Sequence, residues 1–398
     1  MVDRSPWGLD PEWTFLNHGS FGAAPLPILA EQRRWQDELE RQPVQFMLNN
    51  AVPALDEARK ALAIFVGCDP KHLAFVSNAT EGINTVLRSL PWTTKDHIVI
   101  TDHSYGACTR TAEYVAGRYG AQLTPITLDL PLTSEDDVVK AVIDGLPPST
   151  TFLMIDHISS VPGLILPIEQ IVPLLEKKGI RVLVDGAHAP GQIDLDLDDL
   201  GASYYVGNAH KWMCTPKGTA MLHVRPDRQS EITPLAISHG WQEDRGVEDA
   251  FDQAMTWTGT RDPSPWLVIP FAIEFMAGLH PQGWDGLRQS NTKQARKYRD
   301  RLHELLGTTP LAPRSMVGHL AAVELPESWK ERWEYVSSTG LAMPTVHPLQ
   351  VMLAEKYRIE TNVQTLGKRT LLRASMQHYV TEDDLDHLYD VLASFIDG

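Results

Sequence analysis

The chain has 398 residues, which at about 150 residues per domain predicts a large domain and a smaller one. Apolar residues make up 43% and charged residues 22%, the composition of a globular chain with a sizeable core and not of a disordered, collagen-like or coiled-coil one. The formal net charge of -16 has the wrong sign for nucleic acid or anionic lipid, so any anionic ligand needs a local site working against the global field.

In chain order, residues 11–50 are turn-rich with helical pieces and are expected to pack beside the C-terminal part. Seven short apolar runs follow: LAFVS from Leu73, HIVITD from His97, QLTPITL from Gln122, TFLMIDH from Thr151, RVLVDGA from Arg181, ASYYVGN from Ala202 and TAMLHV from Thr219. Helical patterns at 80–90, 108–119, 135–145 and 168–178 separate them, each long enough for a right-handed crossover between parallel strands. Only about ten residues part the last two runs, too few for a crossover helix, so TAMLHV is expected to run antiparallel to a neighbour. The stretch 266–279 reads as a buried helix despite Pro270, and 291–306 as a polar surface or linker helix. Beyond Pro310, isolated strands within 318–326 and 370–376 and an amphipathic helix at 383–396 predict a small α+β unit. The expected division is 45–284 for a large α/β domain with a seven-stranded, mainly parallel sheet, and 1–44 plus 285–398 for the small α+β domain.

The three cysteines, Cys68, Cys108 and Cys214, form no C-x-x-C pair, and an odd count argues for a reducing compartment. No signal-peptide pattern or long apolar run is present, so a cytoplasmic protein is expected.

Ligands of open α/β sheets sit beyond the carboxyl ends of the strands, and five of these ends carry reactive side chains. They are Asn78-Ala79-Thr80-Glu81, then His103 and Tyr105, then His157, Ser159 and Ser160, then Asp185 to His188, and finally Asn208 to Lys211. Most lysines are solvated surface charges. Lys211, however, follows a strand in A-H-K-W-M-C, where desolvation would lower its pKa and free the amine for Schiff-base chemistry. Asp185 ends V-L-V-D, where an unpaired carboxylate is costly, and a protonated pyridine nitrogen would supply the cation it needs. The turn before Thr80 reads either as an ordinary helix cap or as a phosphate cradle of free N–H groups. No G-x-x-x-x-G-K-[ST] or G-x-G-x-x-G marks a nucleotide site, and Gly19-Ser20-Phe21-Gly22 lacks the glycine two residues before the serine that a nucleophile elbow requires. The 15 histidines show no zinc-type spacing, so no metal is expected.

Taken together, this constellation resembles the class V aminotransferase family of pyridoxal-phosphate (PLP) enzymes, of fold type I, which share their fold with cysteine desulfurases and kynureninase. The resemblance implies that Asn78, Ala79 and Thr80 bind the cofactor phosphate, that His103 stacks on its ring, and that Asp185 pairs with the ring nitrogen. His188 would reach the ring hydroxyl, His210-Lys211 would be the Schiff-base dipeptide, and Ser160 would join the cofactor contacts. Gly259 and Thr260, in T-G-T-R-D, would reach the phosphate of a neighbouring subunit, which implies a homodimer. Arg373 falls where the family holds its substrate carboxylate. The stretches F-L-N-H-G-S-F-G-A-A-P (15–25) and Q-P-V-Q-F-M (42–47) look like the isopenicillin N epimerase branch, which also contains C–S lyases acting on cysteine conjugates.

The implied activity is proton removal from Cα of an amino acid or its conjugate, with Lys211 as base. Reprotonation on the opposite face would make an epimerase or racemase, with Tyr105 or His18 as the second acid. Loss of a β-substituent would make a C–S lyase; a transaminase, a decarboxylating variant and a binding protein without turnover rank below. His18, Ser20 and the segment around them, residues near 45–50 and the loop around His239-Trp241 are expected to shape the substrate pocket.

Overall fold

A computed structural model describes residues 4–241, 249–329 and 346–396. Its twelve strands are β1 (Thr14–Phe15), β2 (Leu73–Val76), β3 (His97–Thr101), β4 (Gln122–Ile126), β5 (Phe152–Asp156), β6 (Arg181–Gly186), β7 (Tyr204–Asn208), β8 (Ala220–Val224), β9 (Leu320–Glu324), β10 (Ile359–Glu360), β11 (Asn362–Leu366) and β12 (Arg369–Ser375). The seven apolar runs become one sheet in the order β2-β8-β7-β6-β5-β3-β4. The pairs from β7 to β4 are parallel, while β8 runs antiparallel to both β7 and β2, as its short connection requires. Every residue of β3, β5, β7 and β8 is buried, the mark of strands covered on both faces. This is the architecture that the resemblance implies, with a smaller sheet, β11-β12-β9, and its helices following in the C-terminal part.

Helices begin where the caps lie. Asn78 accepts from the Glu81 amide at 2.9 Å and starts the helix Ala79–Ser89, while Thr381 and Asp384 form a capping box at the start of Glu382–Ser394. Two expectations are corrected. The stretch 266–279 is not one helix but two, Ser264–Leu267 and Ile269–Gly278, because Pro270 lacks the N–H needed to continue the first and sits instead in the first turn of the second. The polar helix expected at 291–306 is neither a linker nor a surface helix: it starts at Gly283, runs for 24 residues and buries Ala295, Tyr298, Leu302 and Leu306 along one stripe. That stripe joins β9 and the C-terminal helix in a single apolar cluster.

The N-terminal segment is tied to distant parts of the chain. β1 pairs in parallel with β10, Thr14 opposite Ile359, and Gly22 passes directly over the strand-end loop that carries Lys211. Gly22 has φ +70°, and a Cβ there would lie 2.0 Å from the His210 carbonyl oxygen and 3.1 Å from the Lys211 Cα. Gly22→Ala is therefore expected to lower stability by about 1–3 kcal/mol, from overpacking added to backbone strain. A thermal melt of the variant that matched the native protein would contradict this. Among the described residues no helix is long and apolar enough to cross a membrane.

Candidate active site

A cavity of about 790 Å³ opens at the carboxyl ends of the parallel strands. It gathers Asn78, Ala79, Thr80, Tyr105, Ser160, Asp185, His188, His210 and Lys211 from the large sheet with Ser20 from the N-terminal segment and Arg373 from β12. Most of the candidate residues, separated by up to 353 positions, thus meet in one place.

Lys211 is partly buried, and desolvation, together with the Arg373 charge, lowers its pKa to about 7. The hydrogen bonds agree. The Trp212 indole N–H can only donate, so at 3.3 Å it assigns the acceptor role to His188 Nδ1 and places the histidine proton on Nε2. That Nε2–H lies 3.0 Å from Lys211 Nζ and donates to it, which requires an unprotonated amine. Burial holds His188 well below its usual range, in keeping with a neutral ring.

Asp185 is buried, and desolvation raises its pKa. It accepts from the Ala187 amide at 3.1 Å and from the Cys108 thiol at 3.2 Å, and no cationic side chain forms an ion pair with it among the described residues. Beside it, at the same register on β5, stands Asp156, whose carboxyl is also raised by burial and by the neighbouring Asp185 charge. Polar groups of Ser104 and Tyr105, on the loop after β3, act in the opposite direction and lower it. Neither Asp156 nor Cys108 was singled out from the sequence. A carboxylate next to another carboxylate carries meaning only once adjacent strands are in register.

Arg373 is 2% exposed. Its guanidinium donates to the Ser160 carbonyl and approaches Ser20 Oγ at 3.5 Å, its Nε has no partner, and no carboxylate pairs with it among the described residues. A buried guanidinium in this state is poised for an external carboxylate. At the opposite wall, the Ala79 amide is taken by Asn208 and the Glu81 amide by Asn78, while the Thr80 amide has no protein partner among the described residues. Asn78 thus caps the helix, as the first reading of this turn expects, and Thr80 lines the cavity at the helix N-terminus.

Several expected roles need correction. His103 does not reach the cavity. The turn in which the Ser104 amide bonds the Thr101 carbonyl folds its ring back among buried groups, 3.9 Å from Asp102, and it is 2% exposed. The aromatic ring presented by this loop belongs to Tyr105, 48% exposed at the start of the helix Gly106–Tyr119. His18 is likewise no acid or substrate contact. It is fully buried, its pKa is lowered to about 3 by that burial, and its ring bridges the Tyr379 hydroxyl and the Lys211 backbone carbonyl at 3.0 and 2.9 Å. His18→Leu would strand both partners, so a loss of about 1–3 kcal/mol is expected without a change in the pH profile of turnover. A shifted profile in a variant of native stability would restore the acid role. Gly259 and Thr260, whose expected role concerns a neighbouring subunit and needs no correction, stand outside this chain's own cavity, with nothing within 4 Å of where a Gly259 Cβ would be. Residues 45–50 and His239–Trp241 do not line it either; Asn17, Phe21, Gln350, Glu360 and Asn362 do.

The pocket fits a PLP-sized group on three counts: a buried carboxylate without a cation, an amine of lowered pKa, and an unpartnered amide at a helix N-terminus. Comparison with known proteins points the same way. The class-V aminotransferase model matches residues 34–388. Isopenicillin N epimerase of Streptomyces clavuligerus is 32% identical over 96% of this chain and 95% of its own. The probable chloroplastic L-cysteine desulfhydrase of Arabidopsis thaliana is 28% identical over 97% of this chain and 84% of its own. A solved structure of a C-DES mutant with glycine covalently linked to the PLP cofactor has a similar fold, with a TM-score of 0.81, 20% identity and 99% of each chain covered.

Proposed function

Because the chain belongs to the class V aminotransferase family, whose members are PLP-dependent enzymes, we propose that it withdraws the α-proton of an amino-acid conjugate with Lys211 and returns a proton to the opposite face, as an epimerase. The observation that carries this reading is the Lys211 amine, with its lowered pKa, sharing one cavity with the Arg373 guanidinium that no carboxylate pairs with among the described residues. Arg373 would hold the substrate carboxylate, and the Lys211 amine would take the Cα proton at Nζ. His188, donating from Nε2, holds that lone pair in the resting site and would release it as the amine takes up the proton. When bound, the cofactor supplies a protonated pyridine ring that draws off negative charge from Cα, and Asp185 keeps that ring nitrogen protonated. Tyr105, on the loop after β3 and lining the cavity, would cover the ring face and offer the second proton.

The exposure of Tyr105 favours a second reading. β-Elimination of a thiol needs no stereospecific second acid, and relatives named as L-cysteine desulfhydrases and as hercynylcysteine sulfoxide lyase of Schizosaccharomyces pombe support it. We further propose a homodimer, in which the loop of Gly259 and Thr260 completes the neighbouring subunit's site.

Incubating the holoenzyme with amino acids and their S-conjugates in deuterated water separates the readings. Deuterium at Cα in both enantiomers supports epimerisation, keto acid with released thiol supports elimination, and neither product with any amino acid overturns both. Sedimentation of the holoenzyme as a monomer would remove the dimer.

A further inference from the structure

The main cavity does not end at Arg373. A second cavity of about 490 Å³ adjoins it, shares Asn17, Phe21 and Glu360 with it, and adds Asp10, Trp13 and Phe15. It exists because β1 pairs with β10, which sets the aromatic stretch from Trp13 to Phe21 against Glu360.

Charge is sorted along the combined space. The reacting end carries the Arg373 guanidinium and the Lys211 amine, whereas the far end carries two carboxylates, Asp10 and Glu360, and no basic side chain lines it. Among the described residues neither carboxylate has a cationic partner. Asp10 accepts from the Glu12 amide at 2.9 Å, and Glu360 is partly withdrawn from water, which raises its pKa. Three aromatic rings complete this end. Trp13 already accepts a cation, the Arg358 guanidinium at 5.3 Å from its centroid, from outside the cavity. Aromatic faces beside carboxylates favour a weakly hydrated cation over a neutral or anionic group.

We propose that this annex is a subsite for the cationic end of an extended substrate: an amino-acid conjugate with its α-carboxylate at Arg373 and an alkylammonium or quaternary ammonium group between Glu360 and the aromatic rings. The proposal names the substrate class for the function proposed above and rests on it for the placement of the carboxylate. Glu360 and Trp13 are then specificity-determining residues with no part in proton transfer.

The test uses two S-substituted cysteines of equal shape, one ending in a trimethylammonium group and the other in its neutral tert-butyl isostere. Calorimetric titration of the holoenzyme is expected to show the cationic conjugate binding at least about tenfold tighter, the scale of a desolvated cation–aromatic contact. In Glu360→Gln and in Trp13→Leu that ratio should fall toward one. Each ratio is taken within one protein, so a partly destabilised variant still reports, and Asp10→Asn serves if either fails to fold. Equal binding of the two conjugates by the native enzyme, or a preference that both variants keep, overturns the proposal. Deuterium exchange at Cα of L-alanine is measured alongside. Exchange with no cation preference sinks the annex alone, while a tenfold preference without exchange for any amino acid keeps the annex and sinks the reaction.

Discussion

Lys211→Ala is expected to abolish covalent attachment of the cofactor and to cut Cα-proton exchange by about 10²–10⁴-fold or more, the range lost with a positioned general base. Two independent readouts apply. Borohydride should trap the cofactor on Lys211 of the native protein, seen as a mass increase of the peptide that carries it, and should trap nothing in the variant. In protein stripped of cofactor, the same substitution should change the pH dependence of stability. Burial lowers the pKa of Lys211 from 10.5 to about 7. Between those values the unfolded chain holds the proton and the folded one does not, so stability rises with pH across that window, and the lysine costs stability at and below neutrality. Removing it should flatten the melting temperature between pH 7 and 10 and raise it near pH 7, against some lost packing. Retained exchange with a silent borohydride trap would assign the base elsewhere.

Asp185→Asn should separate holoenzyme from stripped protein. Burial raises this carboxyl above its ordinary value, and the bonds from Cys108 and Ala187 offset only part of that cost. A carboxylate with a raised pKa costs stability once pH climbs past the folded value, so the stripped Asn variant should be the more stable one at pH 7. With cofactor the order should reverse, because the amide cannot pair with a protonated ring nitrogen. The rise in melting temperature on adding cofactor should therefore shrink, and Cα exchange should fall by about 10²–10³-fold, the usual loss for one preorganised electrostatic group. An undiminished cofactor-induced rise would mean that Asp185 does not face the ring nitrogen.

The large sheet was readable in the chain because its strands are local, buried on both faces and punctuated by polar ends. The seven runs became seven strands, and the short link before TAMLHV correctly marked the antiparallel β8. Lys211, Asp185 and Thr80 stand next to those ends, so their convergence followed from strand direction alone. The helix from Gly283 was misjudged because its polar residues outnumber the narrow stripe of Ala295, Tyr298, Leu302 and Leu306 that faces β9. β11 and the helix Pro348–Tyr357 went unread, since each is short and pairs with partners that only the folded chain defines.

At the level of single residues, the local pattern named His103, His18 and Tyr105 together as aromatic groups near the reaction centre. Which of them faces the cavity depends on one turn after β3 and on a contact across the molecule between residue 18 and the Lys211 carbonyl. Sequence alone determined the architecture, the strand ends and the place of Lys211 beside one of them, because those rest on periodicity and short-range chemistry. Only the tertiary structure decided the lowered pKa of Lys211, the neighbouring Asp156 and the place of Glu360 beside the aromatic annex. Burial, charge pairing and side-chain direction are set by groups far apart in the chain, and no local window contains them.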